Sequence, residues 1–229
     1  MTPVGALRHR SAEAELLDAG DLPAAELAAN LRDLARLNRL PGGAGASVAA
    51  IRRLLPDGPS RVVDVGTGGA DIPRALARAH RSVSVTAIDR DPAIVPLATR
   101  WSRAQPRVEV GEADGLALPD PAEAFDVAHT SLVVHHLEPQ EVVMLLRELH
   151  RVSRRGVVVN DLRRGILPLA VTQLTVRAFG RSPITRHDGP LSVRRAYTLA
   201  ELDDLAASAG LRPVRRSLFV MPRVVTTYR

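Results

Sequence analysis

The sequence predicts an α/β protein with a doubly wound, mostly parallel sheet of seven strands and an antiparallel last strand. One observation is the stretch 61–73, RVVDVGTGGADIP, where a β-branched run leads through a glycine-rich turn into a helical pattern. Another is that further apolar runs of strand length alternate with segments of helical periodicity along the chain. Strands separated by helices pair in parallel, because a crossover connection returns the chain to the same end of the sheet.

Residues 1–53 are predicted to form a helical extension that precedes the sheet. Helical patterns cover Ser11–Ala19 and Pro23–Asn38, and the second pattern ends near a Pro-Gly-Gly sequence. The second helix has an apolar face because leucine recurs at helical spacing: Leu27, Leu31, Leu34 and Leu37. The arginines beside it predict a solvated face opposite the leucines.

The glycine-rich turn predicts a ligand site with an unusual charge. A G-x-G-x-x-G loop brings a pyrophosphate onto the helix N-terminus, where free N–H groups and the helix dipole favour anions. Here Asp71 stands at the position of the third glycine, and Asp64 adds a second carboxylate at the end of the strand. Two carboxylates around the turn suit a ligand that carries positive charge and no phosphate, as S-adenosylmethionine does. A strand–turn–helix without a ligand remains the alternative.

Two further strands end in acids that suit the rest of such a ligand. Val83–Asp89 alternates as a strand should, and Asp89 can accept hydrogen bonds from two ribose hydroxyls. The following Arg90-Asp91-Pro92 predicts a helix start with Asp91 as the N-cap. The third strand, Val108–Glu112, leads to Ala113-Asp114, where the carboxylate can accept from an adenine amino group.

With the segment 125–139, FDVAHTSLVVHHLEP, these motifs resemble the class I S-adenosylmethionine-dependent methyltransferases. The resemblance is to the small-molecule branch, which includes quinone-biosynthesis and polyketide-associated enzymes of secondary metabolism, and it covers residues 54–229 as one domain. It implies a Rossmann-like fold and S-adenosylmethionine as the cofactor. It also implies that the first helices fold over the cofactor. The cofactor-binding residues it implies are Asp64, Gly66, Thr67, Gly68, Asp89, Arg90, Ala113, Asp114, Thr130 and Ser131.

The second half of the chain continues the alternation of strands and helices. Strand four is predicted at Phe125–Thr130, a helix at Pro139–Val152, and a buried fifth strand at Gly156–Asn160. Residues 161–196 are predicted as a lid insertion above the carboxyl ends of the strands. This lid consists of an apolar helix, Ile166–Phe179, and a polar loop, Gly180–Pro190.

The chain is predicted to close with a helix and a hairpin. The helix covers Thr198–Ser208 and ends at Gly210. The segments Leu211–Arg215 and Leu218–Tyr228 are predicted to pair as the antiparallel hairpin.

Three histidines are candidate general bases, because the unperturbed imidazole pKa of about 6.5 lies near working pH. His135 and His136 follow strand four, and His187 lies beside Asp188 in the predicted lid loop. The alternatives are a structural role for the pair and an ordinary exposed loop for His187. No metal site is predicted, since these histidines lack the spacing of a known ligand motif. His9, His80, His129 and His150 are predicted to be structural or solvated, and Asn160-Asp161 to face the same cleft.

Composition excludes several classes of site. The chain of 229 residues has no cysteine, so disulfides, thiolate metal sites and cysteine nucleophiles are excluded. The net charge of +6 comes from arginine alone, and only 3% of residues are aromatic, which does not favour a nucleic-acid partner. Neither a signal segment nor a membrane-spanning run is visible, so a cytoplasmic protein is expected.

The predicted function is O-methylation of a small phenolic, polyketide-like or quinone-like acceptor with help from a histidine base. C-methylation of a similar acceptor stays open, since it would use the same base. An RNA or protein methyltransferase is disfavoured because strand four lacks an N/D-P-P-Y/F motif, and a nicotinamide dehydrogenase is disfavoured by Asp71. A catalytically silent binding protein and a homodimer are compatible with the sequence.

Overall fold

The α/β prediction is confirmed by the structure, a computed structural model that describes residues 7–20, 22–219 and 222–229. Within these ranges the strands form one seven-stranded sheet in the order β3-β2-β1-β4-β5-β7-β6. The first five of these strands are parallel, and β7 runs antiparallel to both β5 and β6. The strands are β1 (Ser60–Val65), β2 (Val83–Asp89), β3 (Val108–Glu112), β4 (Phe125–Ser131), β5 (Ser153–Leu162), β6 (Pro213–Leu218) and β7 (Arg223–Tyr228).

Helices cover both faces of the sheet, as a doubly wound fold requires. The helices are α1 (Ala24–Leu37), α2 (Ala44–Arg52), α3 (Asp71–Ala79), α4 (Ile94–Ser102), α5 (Pro139–Val152), α6 (Ile166–Phe179), α7 (Pro183–Arg195) and α8 (Leu199–Ser208). One core cluster joins α5 and α8 to the sheet. The other joins α2, α3 and α4 to the opposite face. The central strands are therefore buried on both sides, which explains their continuous valine runs.

The N-terminal segment differs from its prediction. Instead of a helix over Ser11–Ala19, the structure has only a short 3-10 turn, Leu16–Ala19. Helix α1 lies close to its predicted bounds, and α2 is a separate helix that the sequence analysis did not identify. The early segment is held by Asp188 of the predicted lid insertion, whose carboxylate accepts the backbone N–H groups of Leu16 and Leu17. These distant contacts explain why local periodicity was a poor guide here.

In the lid insertion one prediction is confirmed and another is wrong. Helix α6 has its predicted bounds, but the predicted loop Gly180–Pro190 lies largely in helix α7. Pro183 stands in the first turn of α7, where its missing N–H costs nothing. Gly189 packs against α6, because a Cβ there would lie 2.7 Å from a methyl carbon of Val176. Gly189, a residue type common in turns, here allows α7 to pack closely against α6.

The end of the chain follows the prediction. Thr198 caps α8 by accepting the Glu201 N–H, and Gly210 follows the helix with a φ of +83°. The predicted hairpin is the pair β6 and β7, but its predicted bounds are wrong in part: β6 covers Pro213–Leu218, so Leu218 ends the first strand, and β7 begins at Arg223.

Candidate active site

A cleft of about 520 Å³ lies at the carboxyl ends of β1, β2 and β4. This is the edge at which open α/β sheets bind ligands. Among the described residues around it are six aspartates and one arginine, an acid-rich lining. The charged residues are Asp18, Asp64, Asp71, Asp89, Arg90, Asp91 and Asp114.

The turn after β1 needs its glycines. Gly66 and Gly68 have φ values of +70° and +52°, in the left-handed region where a side chain is strained. A Cβ on Gly66 would also lie 2.3 Å from Cγ2 of Val133. The backbone of the turn therefore passes closely beneath Val133. Gly66 and Val133 both line the cleft.

Asp64 is held by a buried hydrogen-bonded chain that reaches α2. It accepts from Oγ1 of Thr67 at 2.6 Å and lies 2.5 Å from Nδ1 of His129. Nε2 of the same imidazole lies 2.9 Å from Oγ of Ser47, and His129 is fully buried. The ring thereby links the glycine turn to a helix on the outer face of the sheet.

Asp89 shapes the turn as well as lining the cleft. Its Oδ2 accepts the Gly68 N–H at 2.8 Å, and its Oδ1 accepts the Asp91 N–H at 3.1 Å. Burial raises the pKa of Asp89, against the opposing effect of these two backbone donors. Each carboxylate oxygen keeps a further lone pair for a ligand hydroxyl. Asp114 also lines the cleft and accepts the Leu116 N–H.

The remaining predicted cofactor residues differ in position. Thr67, Arg90, Ala113 and Ser131 line the cleft. Thr130 does not appear among the described residues lining it; the side chain is fully buried and donates to the Val65 carbonyl. Asp71 lines the cleft and accepts from Nδ2 of Asn38, and burial raises its pKa.

A second, smaller cavity of about 130 Å³ opens beside the cleft. It lies among α1, the two lid helices and the ends of β4 and β5, and its walls are mostly aliphatic. Four described residues line both spaces: Leu17, Leu34, Leu132 and His136. We call this space the side pocket.

Polar atoms without partners point to a polar ligand in the side pocket. Glu15 Oε1, Asn30 Oδ1 and Thr172 Oγ1 are buried and have no hydrogen-bond partner among the described residues. All three residues line the side pocket. A buried polar atom that lacks a partner is costly, so a ligand or water that supplies the missing bonds would be favoured.

The polar end of the side pocket is formed by Glu15, His135 and His136. Nδ1 of His135 lies 2.6 Å from Oδ1 of Asp161, and Nδ1 of His136 lies 2.9 Å from Oδ1 of Asp18. Each Nε2 lies 3.9 Å from an oxygen of Glu15. Burial raises the pKa of Glu15 to about 7, although His136 opposes the shift.

Sequence reasoning missed Glu15 because it belongs to no motif. It precedes the short N-terminal turn and reaches the histidines only through tertiary contacts. The acidic, alanine-rich stretch around it has the composition of an exposed segment, so no signal in the sequence singles it out.

The third candidate base lies elsewhere. His187 is on α7 with its side chain 48% exposed and its Nδ1 2.8 Å from Oδ1 of Asp188. It is not among the described residues that line either cavity, whereas Asp188 lines the side pocket.

Asn160 and Asp161 at the end of β5 are occupied by protein partners. Asn160 donates to the Gly42 and Gly43 carbonyls and to Ser47. Asp161 accepts from the Val134 and Leu162 N–H groups and faces His135. Burial would raise the pKa of Asp161, but His135 and the backbone donor hold it below its usual value.

The chain is similar to known methyltransferases in part of its sequence and in its fold. Residues 62–156 match a family described as "Methyltransferase domain". A malonyl-[acyl-carrier protein] O-methyltransferase from Halorhodospira halophila (strain DSM 244 / SL1) is 36% identical over 98 residues, which is 42% of this chain. The matching region spans only 32% of that curated relative.

Solved structures share the fold over most of the chain. A SAM-dependent methyltransferase from Aquifex aeolicus has a TM-score of 0.61 at 19% identity, covering 80% of this chain and 88% of that one. Mitomycin 7-O-methyltransferase MmcR has a TM-score of 0.62 at 20% identity, covering 80% of this chain and 53% of that one. Among the described residues, no helix combines the length and apolar character that crossing a membrane requires.

Proposed function

We propose that this chain is a class I S-adenosylmethionine-dependent methyltransferase that methylates a small and largely apolar acceptor held in the side pocket. The match of residues 62–156 to a methyltransferase domain and the shared fold support this proposal. The observation that carries this proposal is that the side pocket opens directly beside the cleft and shares walls with it. In-line methyl transfer requires such an arrangement, because the acceptor must approach the methyl carbon from the side opposite the sulfur.

The cleft fits S-adenosylmethionine, the cofactor that the family implies, in size and in charge. Its volume suits a ligand of nucleoside size, and its acid-rich lining suits an ammonium and a sulfonium. Asp89 would accept the ribose hydroxyls, Asp114 the adenine amino group, and the turn from Gly66 to Gly68 would hold the methionine end. When bound, the cofactor supplies an electrophilic methyl group on a positively charged sulfur.

The side pocket suits an acceptor with an apolar body and a few polar substituents. Aliphatic walls exclude water, while Asn30 and Thr172 offer unpartnered oxygens to the substituents of the acceptor. Its small volume argues for a small molecule and against an RNA or protein acceptor. The phenolic, polyketide-like and quinone-like classes that the sequence favours have this mixture of apolar and polar character.

The acceptor's nucleophilic oxygen would lie at the polar end of the side pocket. An attacking hydroxyl must lose its proton, and Glu15, His135 and His136 are titratable groups that line this end of the side pocket. His136 lines both spaces, so the expected histidine assistance belongs to this pair and not to His187. C-methylation of a carbon beside a phenol would use the same groups.

A carboxyl acceptor is a second candidate, because the curated relative is named as an O-methyltransferase of malonyl-[acyl-carrier protein]. This candidate requires an opening wide enough for a carrier-bound chain. Measured methyl transfer separates the two candidates, because an enzyme for carrier-bound carboxyl groups would not methylate free phenols.

The test begins with calorimetric titration by S-adenosylhomocysteine, with NAD and NADP as parallel controls. We expect binding of the homocysteine compound alone, in the micromolar range. Radiolabelled methyl transfer to a panel of phenols, quinols, polyketide-like diketones, malonyl thioesters and bulk RNA then identifies the acceptor class. Transfer to RNA at rates matching those of the phenols would contradict the proposal, as would binding of a nicotinamide cofactor only.

A further inference from the structure

The polar end of the side pocket has the arrangement of ligands around a metal ion. One carboxylate oxygen of Glu15 and one ring nitrogen each of His135 and His136 lie within 4.8 Å of one another. Glu15 and His135 are each 3% exposed, so these atoms face one another in an almost dry space. The cluster lines the side pocket, and His136 extends it to the cleft.

Hydrogen bonding orients both imidazole rings toward the same point. A histidine whose Nδ1–H donates to a carboxylate has a lone pair on Nε2. Asp161 and Asp18 hold the two Nδ1 atoms in this way, so both Nε2 lone pairs face Glu15. Carboxylate–histidine pairs of this kind are the usual outer support of metal-binding histidines.

Without a cation, the three groups are poorly matched. When Glu15 is ionised, two Nε2 lone pairs and a carboxylate all accept hydrogen bonds, and Glu15 Oε1 has no hydrogen-bond donor among the described residues. Arg195 lies 3.8 Å from Glu15, but its guanidinium donates to the carbonyls of Glu13 and His136. Arg195 and the Ser192 hydroxyl therefore support the Glu15 carboxylate, while neither imidazole Nε2 has a hydrogen-bond donor among the described residues.

We propose that Glu15, His135 and His136 bind a divalent transition-metal ion such as Zn²⁺, Co²⁺ or Fe²⁺. Two imidazoles and one carboxylate are the donor set of borderline cations, whereas Mg²⁺ and Ca²⁺ prefer oxygen ligands. Three protein ligands leave a coordination position open, as in catalytic zinc sites. That position would face the side pocket.

The observed distances allow the ion with a small adjustment. Metal–nitrogen and metal–oxygen bonds of about 2.0–2.2 Å place neighbouring tetrahedral ligands about 3.4 Å apart. The two nitrogen–oxygen distances are each 3.9 Å. These two distances run to different oxygens of the carboxylate, and each would have to close by about 0.5 Å, which side-chain rotations can supply.

The role of the ion rests on the proposed function, while its binding does not. A cation at this point would bind the acceptor's hydroxyl oxygen and lower the pKa of that hydroxyl, so that the oxygen attacks as an anion and the two histidines assist as ligands and not as bases. The released proton would pass to solvent through the cleft, and the methyl group would replace it on the oxygen. The sequence analysis predicted no metal site, because His135 and His136 gain their third ligand from a distant segment of the chain.

The experiment measures metal binding without methyl transfer. Tag-free protein is stripped with a chelator and titrated with Co²⁺, whose visible absorption reports nitrogen and oxygen ligation. We expect one ion per chain, displacement by Zn²⁺, and a loss of affinity of about 100-fold or more in Glu15→Gln and His136→Gln. The control is His187→Gln, which changes an exposed histidine beside Asp188 and should leave the titration unchanged.

Parallel titration with S-adenosylhomocysteine separates this proposal from the proposed function. Cofactor affinity within about twofold of wild type in Glu15→Gln would show that the variant is folded and that only the metal site is lost. A Co²⁺ titration without ligand-field bands, or one that Glu15→Gln leaves unchanged, would overturn the metal proposal even if methyl transfer is found. The cluster would then be a protonated hydrogen-bond network only.

Discussion

At Gly66 the backbone of the cleft leaves no room for a side chain. Gly66→Ala places a Cβ 2.3 Å from Val133 and forces an alanine into a φ of +70°. Backbone strain and overpacking together predict a loss of about 2–4 kcal/mol in the free energy of unfolding. We also expect weaker binding of S-adenosylhomocysteine, because the turn and Val133 both line the cleft. Urea denaturation and calorimetry measure the two effects.

Gly45 offers the matched control. It is exposed in α2, and a Cβ there meets no atom within 4 Å. Gly45→Ala should raise the free energy of unfolding by about 0.5–1 kcal/mol, because alanine loses less entropy in a helix. If both alanine variants change stability equally, the close approach at Gly66 is not the cause.

Substitution of Asp89 tests whether this carboxylate binds the ribose of the cofactor. Asp89→Asn keeps the shape of the side chain but replaces a charged acceptor with a neutral amide, which would face the donor hydroxyls less favourably. A loss of about 1.5–3 kcal/mol in binding of S-adenosylhomocysteine follows, or about 10- to 150-fold in Kd. Calorimetric titration measures this, with Glu109→Gln on the exposed edge of β3 as the control. Unchanged affinity in Asp89→Asn would remove the ribose assignment.

Among the elements, α7 shows where sequence patterns stop being informative. Glycine and proline within residues 183–195 predict a turn, because their local preferences disfavour a helix. The helix forms because α1 and α6 pack against it and Gly189 permits that packing. By contrast, β1 and β2 are predicted well, since their apolar patterns agree with their final burial. Helix α6 has its predicted bounds, although Ile166, Leu167 and Leu174 are more than half exposed.

Asp33 joins the N-terminal extension to the lid, and this contact can be tested at the level of the element. Its fully buried carboxylate accepts the Arg181 and Ser182 N–H groups at 2.6 Å, just where α7 begins. Asp33→Ala would leave the buried Ser182 N–H and the partly buried Arg181 N–H without their partner. We expect a loss of about 2–4 kcal/mol in the free energy of unfolding, measured by urea denaturation.

The control for Asp33 lies on α8. Asp204 is exposed, so Asp204→Ala should stay within about 0.5 kcal/mol of wild type. Hydrogen exchange gives a second readout, because amides of α7 should lose more protection in Asp33→Ala than amides of β1. Equal loss in both elements would mean that Asp33 does not specifically support the lid.

At the scale of the whole molecule, the cleft and the side pocket differ in how far they could be predicted. The cleft residues Gly66, Gly68, Asp89 and Asp114 each follow a strand, and parallel strands bring their carboxyl ends to one edge. Side-pocket residues such as Glu15, Asn30 and Thr172 come from the N-terminal segment, α1 and α6. Their convergence depends on packing between distant segments, which no local pattern in a single sequence records.

Filling the side pocket should therefore separate acceptor binding from cofactor binding. Thr172→Phe directs a ring into a space of about 130 Å³ and should lower methyl transfer about 100-fold or more, because displacing the acceptor by an ångström already has that effect. Affinity for S-adenosylhomocysteine should stay within about twofold, since Thr172 does not line the cleft among the described residues. Leu174→Phe on the same helix is the control, because that side chain is 71% exposed. Thr172→Val guards against misfolding: it removes only the unpartnered hydroxyl and should raise KM about tenfold without loss of stability. Full activity in Thr172→Phe would move the acceptor to another surface of the cleft.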